Sequence, residues 1–316
     1  MTRLELTGLK GHHPLGFLAA CGLLRCCNVE GKCEVKLAWK QADEGSGWIA
    51  VLQGVNELAL TPLIEMLIAQ ARKQQSSDAL KWSNKIDDVA KYRQTGWRLI
   101  QGRTGQIDDE SLALLPAFCS DLVLNKDKLQ PTLLDLTSGA QRFLESIREL
   151  AVGLSKEGRT GAQTAECVAA FRDALCGPWR YSDGAHSLGW DPQTQRLHAL
   201  RHKLPEKDKE KRSVRGAVFL ASQALPLFPC FAVNAKLRTT GFYRDGDAEW
   251  FSWPIWREPM FISLDTLRCL LAQPLHGDLI PRGVEVVYRC RRVRTGGSEG
   301  NYQVFSSAEE DPRVRT

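Results

Sequence analysis

A run of ten apolar residues, Leu15 to Leu24, constrains this chain before anything else does; Pro14 and Arg25 bound it. A helix that spans a bilayer needs about 20 apolar residues, so this run belongs in a protein core. Pro14 suits the first turn of a helix, where its missing N–H costs no hydrogen bond. Leu15, Leu18, Ala19, Gly22, Leu23 and Cys26 then share one helical face. Phe17, Cys21 and Leu24 cover most of the remainder, so the spacing predicts a helix buried on nearly all sides. Such a helix needs other elements packed around it. The chain is long enough to provide them: 316 residues, 43% hydrophobic and 25% charged, suit a globular protein of one or two domains. That balance excludes wholesale disorder, and the 26 Gly and 14 Pro show no collagen period.

Ten cysteines in 316 residues are too few for a disulfide scaffold. Residues 1–10 carry Glu5 and no apolar stretch before a cleavage site, so no signal peptide is expected. The expectation is a cytoplasmic protein with free thiols, no membrane partner and no cofactor.

Leu4, Leu6 and Leu9 predict a first strand. After the apolar helix, strands are expected at Cys33–Trp39 and Trp48–Leu52, around the turn-like Asp43–Gly47. A helix follows from Thr61 as N-cap and Pro62, with Leu63, Ile64, Leu67, Ile68 and Ala71 on one face. The order β-α-β-β-α is most of a split βαβ, ferredoxin-like unit without an evident final strand. Residues 80–176 read as mostly helical, with capping boxes at Ser138–Gln141 and Thr160–Gln163. After Gly177-Pro178 come short strands and loops, with helices over Ser213–Ala224 and from Ser263. Val284–Val293 alternates: Val286, Tyr288 and Cys290 face one way, Arg289 and Arg291 the other, and Tyr302–Phe305 completes a hairpin. The predicted fold class is α+β, with a ferredoxin-like start, a helical middle and a mixed, strand-rich C-terminal half. The division falls at 1–176 and 177–316, or the chain forms one continuous domain.

Metal and nucleophile motifs are sparse. Cys21, Cys26, Cys27 and Cys33 cluster, but no C-x-x-C hook occurs, so core packing outweighs zinc. His12-His13-Pro14 stands at a helix start, where backbone N–H groups bind phosphate, although capping is the plainer reading. Asp183, Asp191, His198 and His202 are close enough in sequence to suggest a metal-dependent nuclease. Asp278 with Glu285 faintly resembles a nuclease carboxylate pair, but Val287 stands where a lysine is needed. No phosphate-binding glycine loop, dinucleotide fingerprint or serine elbow is present.

Charge says more. The net charge is only +5. Residues 201–215 hold seven Lys/Arg against three acids, and residues 281–296 hold five arginines against Glu285. The rest of the chain is slightly acidic. The first window reads as a solvated loop. The second lies on a strand, and arginine suits bidentate phosphate contact. Lys236–Arg244 interleaves basic and aromatic residues, as single-strand binders do. The candidate nucleic-acid-binding residues are therefore Lys236, Arg238, Arg244, Arg289, Arg291, Arg292 and Arg294. Trp250, Trp253 and Trp256 crowd one segment, which reads as core or as the docking face of a protein-only scaffold.

The opening phrase Leu6–Arg25, with its Pro-Leu-Gly-Phe-Leu-Ala-Ala-Cys-Gly-Leu-Leu core, resembles the opening of proteins encoded in type I-G (formerly I-U) CRISPR loci. So do Leu136–Leu144, Ala224–Pro229, Arg238–Phe242 and Trp253–Trp256, in the same order along the chain. Within that group the chain resembles the shorter accessory family, which includes extensions of the helicase–nuclease. The resemblance implies a non-catalytic part in RNA-guided antiviral defence, with CRISPR–Cas subunits, the helicase–nuclease, and guide RNA or target DNA backbone as partners. It implies no catalytic residue. The alternatives are the metal-dependent nuclease and the protein-only scaffold.

Overall fold

A computed structural model describes residues 1–30, 34–42, 47–82, 86–101, 109–137, 142–155, 161–184, 187–193, 213–275, 277, 279–295 and 302–314. The apolar run forms helix α1 (Pro14–Glu30), buried without interruption from Pro14 to Cys27. Strands β1 (Thr2–Lys10), β2 (Val35–Gln41) and β3 (Trp48–Gly54) form a sheet in the order β1-β3-β2. β3 runs antiparallel to both neighbours, so β1 and β2 are parallel and α1 is their crossover. That is the expected split βαβ arrangement. Helix α2 (Leu60–Gln75) follows and buries Leu63, Ile64, Leu67, Ile68 and Ala71 as the spacing predicts. It starts one residue before Thr61, with Ala59 as N-cap and no side-chain cap bond, so Thr61 and Pro62 fall in the first turn.

The helical middle consists of α3 (Asp78–Lys81), α4 (Val89–Gln101), α5 (Asp109–Phe118), α6 (Phe143–Ser155) and α7 (Gly161–Cys176). Between α5 and α6 sits a small ribbon of β4 (Leu124–Asn125) and β5 (Lys128–Leu129). α6 buries Phe143, Leu144, Ile147, Ala151 and Leu154, the predicted stripe. The Ser138–Gln141 box, Thr160, Cys33, His198 and His202 lie outside the described residues. α7 packs on β1, where the Thr7 hydroxyl donates to the Cys176 carbonyl at 2.5 Å.

The C-terminal half opens with α8 (Arg215–Gln223), buried along its face on α1. A two-stranded ribbon of β6 (Cys230–Val233) and β7 (Lys236–Thr239) stands apart from the main sheet. That sheet contains β8 (Phe242–Asp245), β9 (Ala248–Trp256), β10 (Val284–Thr295) and β11 (Tyr302–Phe305), in the antiparallel order β11-β10-β9-β8. β12 (Glu309–Glu310) pairs with β10 as well. Helix α9 (Leu264–Ala272) starts at Ser263, whose hydroxyl accepts the Thr266 N–H at 3.2 Å. The α+β class is as expected.

One core crosses Gly177. It runs from Leu6 to Phe305, and the Trp-rich segment of β9 is what joins the two sheets. The Trp253 ring stacks on Phe17, centroids 5.8 Å apart, and its indole N–H donates to the Gly11 carbonyl at 2.8 Å. Trp256 donates to the Leu37 carbonyl at 2.8 Å and meets Trp39 edge-on. Both tryptophans are 0% exposed. Trp253 and Trp256 therefore fill the protein's own core, as the core reading of this segment expects. β2 is tied to the same half by reciprocal Leu37–Ile262 backbone bonds of 3.0 Å.

Candidate nucleic-acid interface

The basic strand acquires its setting from two hairpins. β8 and β9 join through Gly246 and Asp247, and Gly246 takes φ +56°, which a two-residue hairpin loop requires of its first residue. The β9–β10 ladder runs from Trp256–Val284 to Trp250–Arg291 and stops there. β8–β9 pairing continues to Asp245–Ala248, and β10–β11 pairing continues to Thr295–Tyr302. The two hairpins therefore part beyond Trp250 and Arg291. The fork between them is a cleft of about 500 Å³.

Arg244, Arg291, Arg292 and Arg294 line this cleft with Asp247, Glu249 and Gln303. Four of the seven predicted residues thus converge on one place. Arg244, Arg291 and Arg294 are exposed and form no ion pair among the described residues. Arg292 is held. It donates to the Glu249 carboxylate at 3.1 Å and to the Asp135 carbonyl at 2.9 Å. Burial pulls its guanidinium below the ordinary arginine value, and Glu249 opposes that pull. Its Nε is buried with no hydrogen-bond partner among the described residues, so the fork retains one inward donor. Arg292 shares the inward face of β10 with Cys290, which is why it is anchored while Arg291 is not. Glu249, Asp247 and Gln303 escape sequence reading; the Asp245-Gly246 pair is the hairpin signal that points to them.

The remaining predicted residues lie elsewhere. Lys236 and Arg238 are on the separate β6–β7 ribbon, opposite Val233 and Phe231. Arg289 is committed within the protein. Its guanidinium lies 4.0 Å over the Trp250 ring, donates to the Tyr243 hydroxyl at 3.2 Å, and pairs with Glu309 at 2.6 Å. Arg313 likewise covers Tyr243 and chelates Asp311. The Lys236–Arg244 aromatic pattern therefore presents no bare ring at Tyr243.

Asp311 anchors this C-terminal strap. Its carboxylate is 0% exposed and accepts from Ser252 at 3.2 Å, and its N–H donates to the Val287 carbonyl at 2.8 Å. Burial alone would raise the Asp311 carboxyl, but bonds from Arg313 and Ser252 outweigh it and hold it below the ordinary range. A carboxyl depressed in the folded state stabilises above its unfolded pKa of about 3.9, and that contribution is lost as pH falls through the lower folded value. Hydrogen exchange at residues 309–314 is expected to accelerate only below about pH 4, and Asp311→Asn is expected to bring fast exchange to neutral pH. Equal protection in Asp311→Asn and wild type at pH 7 would refute this anchor.

Of the nuclease constellation only Asp183 and Asp191 lie among the described residues. Asp183 faces Arg215, Nε to Oδ1 3.1 Å, with the Arg215 N–H on its other oxygen at 3.2 Å. Asp191, 1% exposed, meets His13 Nε2 at 3.4 Å and accepts the Gln193 N–H at 2.8 Å. Each carboxylate is drawn to a different partner from a distant segment. No group of three potential metal ligands gathers among the described residues, and Asp278 lies outside them. His13 Nδ1 accepts the Gly16 N–H at 3.4 Å, so the ring caps α1 rather than leaving its start open to phosphate. Cys21, Cys26 and Cys27 are buried free thiols in the α1 core. Among the described residues no helix is long and apolar enough to cross a membrane. No protein-family model matches the chain, and no curated protein matches it.

Proposed function

We propose that this chain is a non-catalytic subunit or adaptor of a type I CRISPR–Cas complex, and that the fork holds nucleic-acid backbone. The convergence of Arg244, Arg291, Arg292 and Arg294 on one cleft carries the reading. Three of these guanidiniums are exposed and unpaired among the described residues, so they meet an anion without breaking a native ion pair. The described residues of the lining include no aromatic ring, which favours contact to phosphate and sugar over stacked bases. Sequence reading is left to guide pairing. The ordered phrases that resemble type I-G accessory proteins support the assignment to the complex. The partners are other CRISPR–Cas subunits or the helicase–nuclease, together with guide RNA or target DNA backbone.

Fluorescence anisotropy with labelled DNA and RNA oligonucleotides tests the backbone contact. With Arg292 neutralised by Glu249, about three phosphates are engaged, so log K is expected to fall against log salt with a slope of about −2 to −3. Between 50 and 200 mM salt the affinity then drops about 15- to 60-fold. A flat dependence, or no binding at low salt, overturns the backbone reading. Co-expression with the effector subunits, the helicase–nuclease and a guide RNA tests the assembly; failure to co-purify with any of them overturns the adaptor role.

A further inference from the structure

The helical middle holds a second basic cavity that shares no residue with the fork. It lies between α3 and α4 and encloses about 240 Å³. We infer that it binds the phosphoryl group of a phosphate monoester, received by the Trp82 indole N–H and the side chains of Arg98 and Lys91.

Trp82 is the starting observation. Its side chain is 5% exposed and lines the cavity, yet its indole nitrogen is buried with no hydrogen-bond partner among the described residues. Indole N–H is a donor only, and buried donors without an acceptor are rare in folded proteins. The group it lacks is therefore an acceptor. The ring cannot turn away to find one: Tyr92 meets it edge-on with centroids 4.8 Å apart, and Phe118 tilts against it at 6.2 Å.

The charge around that donor selects an anion. Arg98 lines the cavity and has no ion pair among the described residues. Lys91 reaches Asp88 only at 4.0 Å, with 61% of its side chain exposed. Lys81 donates one N–H to the Ser76 carbonyl at 2.8 Å and retains two more. Asp78 is the only carboxylate among the described residues of the lining. Three cations against one acid favour a dianion, and a phosphate monoester carries nearly two charges at neutral pH. The hydroxyl of Thr95, a residue 7% exposed, adds a neutral donor. The volume lies below the usual range for drug-sized ligands, so the cavity accommodates a phosphoryl group and little beyond it. Both a free phosphomonoester and the 5′-phosphate of a nucleic-acid strand present this chemistry.

The indole N–H resonances of nitrogen-15-labelled protein give a direct readout, with the Trp82 signal assigned through Trp82→Phe. Inorganic phosphate is expected to shift that signal saturably at millimolar concentration. Arg98→Ala is expected to weaken binding at least about 10-fold and Lys91→Ala about 3-fold. Trp82→Phe keeps the ring, so it is expected to stay folded while losing about 10-fold in phosphate affinity by calorimetry. A 5′-phosphorylated oligonucleotide that binds more tightly than inorganic phosphate and than its 5′-hydroxyl counterpart identifies a strand end; equal binding identifies the free monoester. No shift at millimolar phosphate, an equal shift with sulfate, or a response unchanged in Arg98→Ala overturns the inference. Because the fork shares none of these residues, Arg291→Ala is expected to leave the Trp82 shift intact.

Discussion

Gly22→Ala is expected to cost about 3 kcal/mol of stability, at the upper end for a single methyl added to a core. Gly22 lies where α1 crosses α8, and a Cβ built there would fall on the Leu220 carbonyl oxygen. The Leu220 carbonyl carbon at 2.8 Å and the Ala224 nitrogen at 3.0 Å close the remaining space. These are backbone atoms, so no side chain can swing aside. Nor can α1 retreat, because it is buried on every side from Pro14 to Cys27. Alanine is the better helix former by about 1 kcal/mol, and the expected loss is what remains after that gain. Urea denaturation measures it. Gly153→Ala on α6 is the control: outside its own helix backbone, no described atom lies within 4 Å of its would-be Cβ, so only the propensity gain is expected. If Gly22→Ala loses less than Gly153→Ala gains, α1 and α8 are not in the tight contact described.

The triple substitution Arg244→Ala, Arg291→Ala and Arg294→Ala is expected to weaken nucleic-acid binding about 100-fold at low salt and to flatten the salt dependence. Each arginine removes one phosphate contact from the counterion-release slope, and about 1 kcal/mol per contact amounts to about 100-fold for three. Stability is expected to change little. All three side chains are exposed and have no ion pair among the described residues, and such surface changes fall within about 0.5 kcal/mol each. Arg292 is left in place because it carries fold as well as charge, through Glu249 and Asp135. Unchanged affinity and slope in a normally folded triple variant would remove the fork from the proposal. The variant also separates backbone contact from complex assembly: retained co-purification without oligonucleotide binding would leave an adaptor whose grip on nucleic acid comes from its partners.

Much of the local structure was legible in the sequence because it follows short-range periodicity. The burial of α1, the inward face of α2, the stripe of α6 and the alternation at Val286, Tyr288 and Cys290 are patterns of nearest turns and pleats. The order β-α-β-β-α sufficed to anticipate the split βαβ sheet. The site was half legible. Arginine density along 281–296 pointed to β10, but density does not tell an anchored arginine from a free one. Arg289 and Arg291 share a face of the strand, yet Glu309 and Tyr243 hold the first, and no ion pair among the described residues holds the second.

Residue type and spacing determined by themselves that the chain is α+β, that its apolar run is a core helix, and that its cationic excess is concentrated. Only the tertiary structure decided which cations are available. Asp135 reaches Arg292 across 157 residues, Ser252 holds Asp311 across 59, and His13 takes Asp191 from the opposite half of the chain. Such pairings leave no local trace, because a hydrogen bond depends on where two groups lie in space, and sequence periodicity records only which side of one element each group faces.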